Sequence, residues 1–199
     1  MAPVGSSDVP RDFDAGTLCL QYLDAPEDPD GLSDWARTHL RVRDLLPLTE
    51  RERRDARTLH DAVSRIAAVL VVGGPPAIGD IARLNRLAGQ PDLAPQVGAG
   101  GARGWPIEVS HGQVLATVAR DAVLLVTDAD HDRVRRCAAE DCDLVFLDTS
   151  RPGRRRWCSM SRCGNRAKVR AHRARADPVR AADPVHDADP VHDVEDGPS

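Results

Sequence analysis

The sequence predicts a mainly α protein with a short β element, in which a helical N-terminal domain is followed by a small C-terminal module of different construction. Three observations lead there. Over much of the first two thirds, apolar residues recur at spacings of three and four, the period of one helix face. Four of the five cysteines lie between residues 137 and 163, in two close pairs. The charge is also divided. Residues 151–176 hold ten basic residues and no acid, which leaves 17 basic and 31 acidic residues elsewhere, a net of −14, although the whole chain sums to only −4.

A chain of 199 residues can form one mid-sized domain with an appendage. Hydrophobic residues make up 41% but aromatics only 3%, so the core must be built from Leu, Val, Ala and Ile. The longest clean apolar run, Ile66 to Val72, is far short of the ~20 residues that cross a bilayer, and no membrane role is expected. Met1 to Pro10 lacks the basic start and apolar stretch of a secretory signal. A cytoplasmic location is therefore expected, where paired cysteines more often mean metal or catalysis than disulfides.

Residues 1–16 read as a flexible leader, and residues 17–128 as the helical domain. Thr17–Leu23 (TLCLQYL) is a short apolar run that periodicity cannot assign to strand or helix. A helix is expected over Asp34–Leu46, with Ser33 as N-cap and Pro47 as stop. The next helix is the clearest. Thr49 and Glu52 fit a capping box, in which each side chain satisfies an orphan N–H of the first turn. Ala56, Leu59, Val63, Ile66 and Leu70 then fall on one face, and Gly73, Gly74, Pro75 and Pro76 end it. A further helix is expected over Ala77–Ala88, burying Ile78, Ile81, Ala82 and Leu84. Residues 89–104 read as a loop, and Trp105, Ile107 and Val109 as a short strand. Leu115, Val118, Ala119, Ala122 and Leu125 mark another helix.

Residues 129–176 form the second module. Cys137 and Cys142 are separated by four residues, fifteen residues intervene, and Cys158 and Cys163 repeat the gap. Two tight turns, each giving two thiolates and joined by a loop, match what a tetrahedral Zn²⁺ needs. The competing readings are two disulfides, unrelated buried thiols, or a nucleophile, for which paired spacing has no purpose. Cys19 stands apart and reads as a small buried hydrophobe. Asp143–Asp148 (DLVFLD) predicts a strand, Ser150–Gly153 a turn, Arg154–Trp157 a returning strand, and Ser161–Arg175 a helix. The module is thus a treble-clef-like zinc unit, a β-hairpin and a basic helix, with the second cysteine pair at the helix start.

On that helix Arg162, Arg166, Arg170 and Arg173 share a face, and Lys168, His172 and Arg175 form a second stripe. Like charges at these spacings cost a few tenths of a kcal/mol per pair. Nucleic-acid phosphates are the usual compensation, so Arg154, Arg155, Arg156, Arg162, Arg166, Lys168, Arg170 and Arg173 are the candidate contacts. Charge does not separate DNA from RNA. A basic face that pairs with the acidic remainder, or meets an acidic protein partner, is the alternative. After residue 176 the repeats ADPVRA, ADPVHD and ADPVHD carry a proline every six residues and only isolated valines, so residues 177–199 are expected to be a disordered acidic tail, with His186 and His192 solvated.

The segment Arg135–Arg175 closely resembles the CGNR zinc finger, named for the motif at Cys163, Gly164, Asn165 and Arg166. Both cysteine pairs, FLDTSR at Phe146–Arg151 and RRWCSM at Arg155–Met160 carry the likeness. The resemblance implies a four-cysteine zinc finger that binds DNA. In that family the finger follows a helical domain called ABATE, associated with stress-induced transcription regulation, and residues 17–128 are similar to it. Its usual opening, LCLDFVNT, is LCLQYLDA here, so Gln21, Asp24 and Ala25 replace an acid, an amide and a hydroxyl. A structural strand is the expected role of this opening. Gly164 is expected to allow close backbone approach, and Asn165 to cap a turn, with reading a base as the alternative. Arg166 is left between packing and phosphate contact.

The function expected is a DNA-binding transcription regulator. Its N-terminal domain would take a small-molecule or stress signal or form a homodimer. No phosphate-binding glycine loop, nucleophile elbow or HExxH motif is present, so no enzyme is expected. His39, His60 and His111 are single histidines in polar contexts and are expected to face solvent.

Overall fold

The longest helix is set at its N-terminus. Thr49 Oγ1 accepts the Glu52 N–H at 3.2 Å, and Glu52 Oε2 accepts the Thr49 N–H at 2.9 Å. This capping box starts α3 (Glu50–Val71), after α1 (Leu18–Tyr22) and α2 (Pro29–Leu40). The structure, a computed structural model, describes residues 14–25 and 29–176. Most of the expected leader and the whole repeat tail with its two histidines lie outside those residues. Leu59, Val63, Ile66 and Leu70 of α3 are buried as their spacing predicts, with Ala62 and Ala67 between them and Ala56 half-buried. Helices α4 (Ile78–Ala88) and α5 (His111–Thr127) pack on α3 and on each other. A second capping box, Ser110 with Gln113, starts α5, whose Val114, Leu115, Val118, Ala119, Ala122 and Leu125 are buried. Among the described residues, no helix is long and apolar enough to cross a membrane.

The structure corrects several element assignments. Helix α2 begins earlier and stops at Leu40, because Arg41 takes a left-handed backbone (φ +57°) that breaks the helical hydrogen-bond pattern. Ser33 lies inside that helix instead of capping it. Helix α4 buries Leu84 and Leu87, while Ile78 is 86% exposed and Ala82 exposed. The helix turns Asp80 inward, where Arg65 of α3 grips both carboxylate oxygens at 2.8–3.1 Å. Trp105–Val109 is not a strand; Val109 makes one parallel bridge with Leu45, and Ile107 is exposed. The loop at 89–104 contains a two-residue hairpin, β1 (Gln96–Val97) with β2 (Arg103–Gly104).

The opening segment is helical, not a strand. Asp121 of α5 accepts the Cys19 N–H at 2.7 Å, capping an orphan donor of α1. Tyr22 donates to the Ala56 carbonyl at 3.0 Å and meets Trp35 edge-on at 5.4 Å. His111 is also corrected: it is 2% exposed, with Nε2 3.0 Å from Ser33 Oγ. His39 is exposed and His60 half-buried.

After α5 the chain enters β3 (Val134–Arg136), which pairs antiparallel with β4 (Val145–Leu147), matching Arg135 to Phe146. Val134 and Phe146 join the same buried cluster as Leu20 and Leu59, so the C-terminal module shares one core with the helices. The N-terminal segment completes the seam. Ala15 O accepts the Leu147 N–H at 2.8 Å, and Gly16, at φ +84°, lies so close that a Cβ there would sit 2.6 Å from the Leu147 carbonyl oxygen.

Two outcomes are expected. Gly16→Ala meets both a left-handed backbone and a rigid carbonyl, so it should lower stability by about 1–3 kcal/mol in denaturant unfolding. Burial holds His111 below its ordinary 6.5, with Glu52 opposing. The unfolded chain therefore binds more protons in the window just below pH 6.5. The stability owed to the neutral ring is complete above that value and lost as pH falls. His111→Gln should flatten the acid decline of Tm in that window.

Candidate functional site

Strand β3 runs directly into Cys137, whose N–H donates to Leu144 O at 2.9 Å, and a tight turn places Cys142, whose N–H donates to Ala139 O at 3.1 Å. The second pair comes from the far side of the hairpin loop. Cys158 N–H points at Cys137 Sγ across 3.4 Å. Ser159 Oγ accepts the Arg162 N–H at 3.0 Å, and Ser159 O accepts from both Cys163 and Gly164, giving a π-turn over Met160–Gly164 that precedes α6 (Asn165–Ala176). The helix thus begins later than Ser161.

All four Sγ atoms are buried and lie within 4.8 Å of one another, and all are free thiols. The Cys142–Cys158 sulfur distance is 3.8 Å and the Cys158–Cys163 distance 3.4 Å. A tetrahedral Zn²⁺ with bonds of ~2.3 Å needs sulfurs ~3.8 Å apart, so the donor set fits that ion. A disulfide needs ~2.05 Å and does not fit. Burial pushes the Cys142 thiol up to about 11 and raises Cys158 further. Cys163 goes the other way: burial alone would raise it, but Arg166 Nη2, 3.3 Å from its sulfur, brings it below the ordinary thiol value. Four thiolates leave no open coordination position.

The expected second strand at Arg154–Trp157 is irregular, since β3 takes the place beside β4. What shapes this loop is Asp148, fully buried at the end of β4. It accepts the Ser150 N–H at 3.0 Å, the Ser150 hydroxyl at 2.6 Å and the Arg155 N–H at 2.8 Å. Burial alone would raise its pKa, but these donors hold it below the usual carboxylate range. Sequence reasoning did not single out Asp148 by itself; its signal is an acid at the end of an apolar run, two residues before a serine.

The basic residues divide by environment. Arg155 is turned inward: its guanidinium lies 4.3 Å over the Phe146 ring, donates to Trp157 O and Asp14 O at 3.0 Å each, and reaches Cys158 O. Arg162 is half-buried, with Nη1 buried and unpartnered, and its charge acts on Asp24, whose pKa burial raises to about 6. The π-turn takes it off the face expected for Arg162, Arg166, Arg170 and Arg173. Arg166 pairs with Asp141 at 2.8 Å, and Arg170 with Asp141 at 3.3 Å and Glu140 at 3.9 Å. Arg154, Arg156, Lys168 and Arg173 are exposed, and Arg156 lies 5.2 Å over Trp157. Gly164 is buried, and a Cβ there would meet Met160 Sδ at 2.6 Å, so the close approach is by a side chain. Asn165 is exposed at the first position of α6.

The departures in the LCLQYLDA opening have structural roles. Gln21 Oε1 accepts the Ala15 N–H at 3.0 Å, Asp24 faces the zinc module, and Ala25 is buried.

Two family models match the chain. Residues 16–129 match ABATE, described as "Putative stress-induced transcription regulator", and residues 133–176 match the CGNR zinc finger. No curated protein matches the chain. The finger match and the buried four-thiol cluster together identify the cofactor as zinc.

Two of the four sulfurs carry raised pKa values, so metal must displace their protons, and zinc affinity should fall steadily on acidification. Arg166→Ala removes the donor to Cys163 Sγ and should weaken zinc about 10-fold or more in competition with a chromogenic chelator.

Proposed function

The chain belongs to the ABATE family, and from that premise we propose that it is a transcription regulator whose zinc finger binds DNA. Cys137, Cys142, Cys158 and Cys163 are the zinc ligands in this reading, and the metal is structural. The observation that carries the proposal is α6. From Lys168 to Arg173 every residue is exposed, and no acid lies on the helix. It has no apolar face to bury, so its charges are available to a polyanion. Lys168, Arg170 and Arg173 contact phosphates from the helix, and Arg154 and Arg156 from the loop. Arg166 exchanges Asp141 for phosphate, an exposed ion pair worth little in water. Arg155 and Arg162 act through the fold.

The regulator is cytoplasmic, and its helical domain takes the signal that sets DNA affinity. A homodimer on a two-fold operator belongs to the same reading. The absence of a free zinc position in a four-thiolate site supports a role without catalysis. A second reading, an acidic protein partner for α6, is favoured by one observation: Arg166 and Arg170 already hold carboxylates of this chain.

The test is a salt titration of duplex DNA binding by the zinc-loaded full chain. The logarithm of affinity should fall with the logarithm of salt at a slope of about −0.9 per neutralised phosphate. Lys168→Ala, Arg170→Ala and Arg173→Ala should each reduce that slope by about one. A shallow slope unaffected by these variants defeats the DNA reading and leaves the acidic partner.

A further inference from the structure

The helical domain satisfies most of its surface arginines internally. Arg37 meets Asp34, Arg65 and Arg83 meet Asp80, and Arg86 meets Asp55. One groove is different. Between the segment that follows α2 and the loop after β2 lies a cavity of about 850 Å³, bordered by Arg41, Arg43 and Arg103, with Asp44 as its lone carboxylate. None of the three guanidinium groups makes a hydrogen bond or ion pair with another described residue, and all three residues are exposed. Three unpaired guanidiniums on one concavity repel one another, in a region whose charge balance is otherwise acidic.

The same groove contains a fixed aromatic plate. Trp105 is half-buried, and its Nε1 donates to Leu40 O at 2.6 Å, which locks the ring against the end of α2. The Arg103 guanidinium stacks over it at 4.8 Å. Arg41, at the end of the same helix, has the only left-handed backbone among the described non-glycine residues. Such outliers persist where the surroundings over-determine them, and they concentrate at ligand clamps.

We propose that this groove binds a nucleoside phosphate, with the base against the Arg103–Trp105 stack and the phosphates on Arg41 and Arg43. The volume lies in the ~300–1,000 Å³ range of small-molecule sites. Guanidiniums pair bidentately with phosphate oxygens and also stack on planar rings, so the set matches a ligand that joins a flat ring to several negative charges. A simple aromatic carboxylate leaves two of the three cations unmatched. The proposal rests on the reading of the helical domain as the signal-taking part only for its biological consequence; the binding itself stands apart from DNA contact by α6.

The experiment is calorimetric titration of the zinc-loaded full chain with ADP, with pyrophosphate and adenosine as the two halves of the ligand, and with Trp fluorescence as a second readout. ADP is expected to bind more tightly than either half and to perturb indole emission. Arg41→Ala with Arg43→Ala should weaken ADP about 10-fold or more, and Trp105→Leu should erase its advantage over pyrophosphate. These arginines are exposed, so their replacement leaves the fold intact, which the unfolding curve verifies. No ADP binding at millimolar concentration, or binding unchanged by the arginine variants, overturns the proposal. Pyrophosphate binding as tightly as ADP overturns the nucleoside half. If the same variants instead lower the salt slope for duplex DNA while ADP stays inert, the groove is part of the DNA surface. Failure with ADP leaves the α6 salt titration standing, so the two readings fail separately.

Discussion

Four buried thiols within 4.8 Å of one another are the constraint on which the C-terminal half depends. Burial favours the neutral thiols of Cys142 and Cys158, and neutral thiols attract one another only weakly. With zinc, four thiolates acquire one partner, and the two turns that carry them lock together. The module's own regular elements are short. Its strands are three residues each, and α6 presents exposed side chains from Lys168 to Arg173. Arg166 extends the centre outward, since one guanidinium touches both the Cys163 sulfur and Asp141. The metal and the first turn of the basic helix are therefore linked electrostatically.

The module is not an independent bead on a linker. Val134 and Phe146 enter the helical core, Ala15 pairs with β4, and Arg155 reaches back to Asp14. Asp24 and Arg162 are both half-buried, each has one buried side-chain atom without a hydrogen-bond partner, and the Arg162 charge acts on the Asp24 carboxyl across the seam.

Much of this was legible in the residues. The Thr49–Glu52 box and the spacing of Leu59, Val63, Ile66 and Leu70 announce α3, because local hydrogen bonds and helix period are both written in sequence. The cysteine pairs announce the metal for the same reason. What failed was decided by tertiary contact. TLCLQYL is equally apolar as strand or helix, and contacts distant in sequence, such as the Cys19 N–H to Asp121 and Tyr22 to the Ala56 carbonyl, accompany the helix. His111 sits in a polar string, yet the helix places it under Ser33. Ile78 and Ala82 fall at helical spacings, yet α4 leaves them exposed and buries Asp80, which Arg65 neutralises. The Arg154–Arg156 run reads as uniform charge, while the fold exposes the first and third and stacks the head group of the half-buried second over Phe146.

That last division sets how basic residues should be weighed. A guanidinium that already satisfies backbone carbonyls, as Arg155 does, is part of the scaffold, and its charge is a by-product of its hydrogen-bonding geometry. A guanidinium held only by a half-exposed carboxylate, as Arg166 and Arg170 are, keeps most of its capacity for another anion, because such pairs contribute little in water. Arginines with no partner, such as Arg41 and Arg43, have been left uncompensated by a domain that compensates most of the others. The net charge of a segment therefore overstates its ligand capacity by the number of scaffold arginines it contains. In this chain the correction removes two residues, Arg155 and Arg162, from the finger, and it turns attention to a groove that the overall acidity of the helical domain conceals.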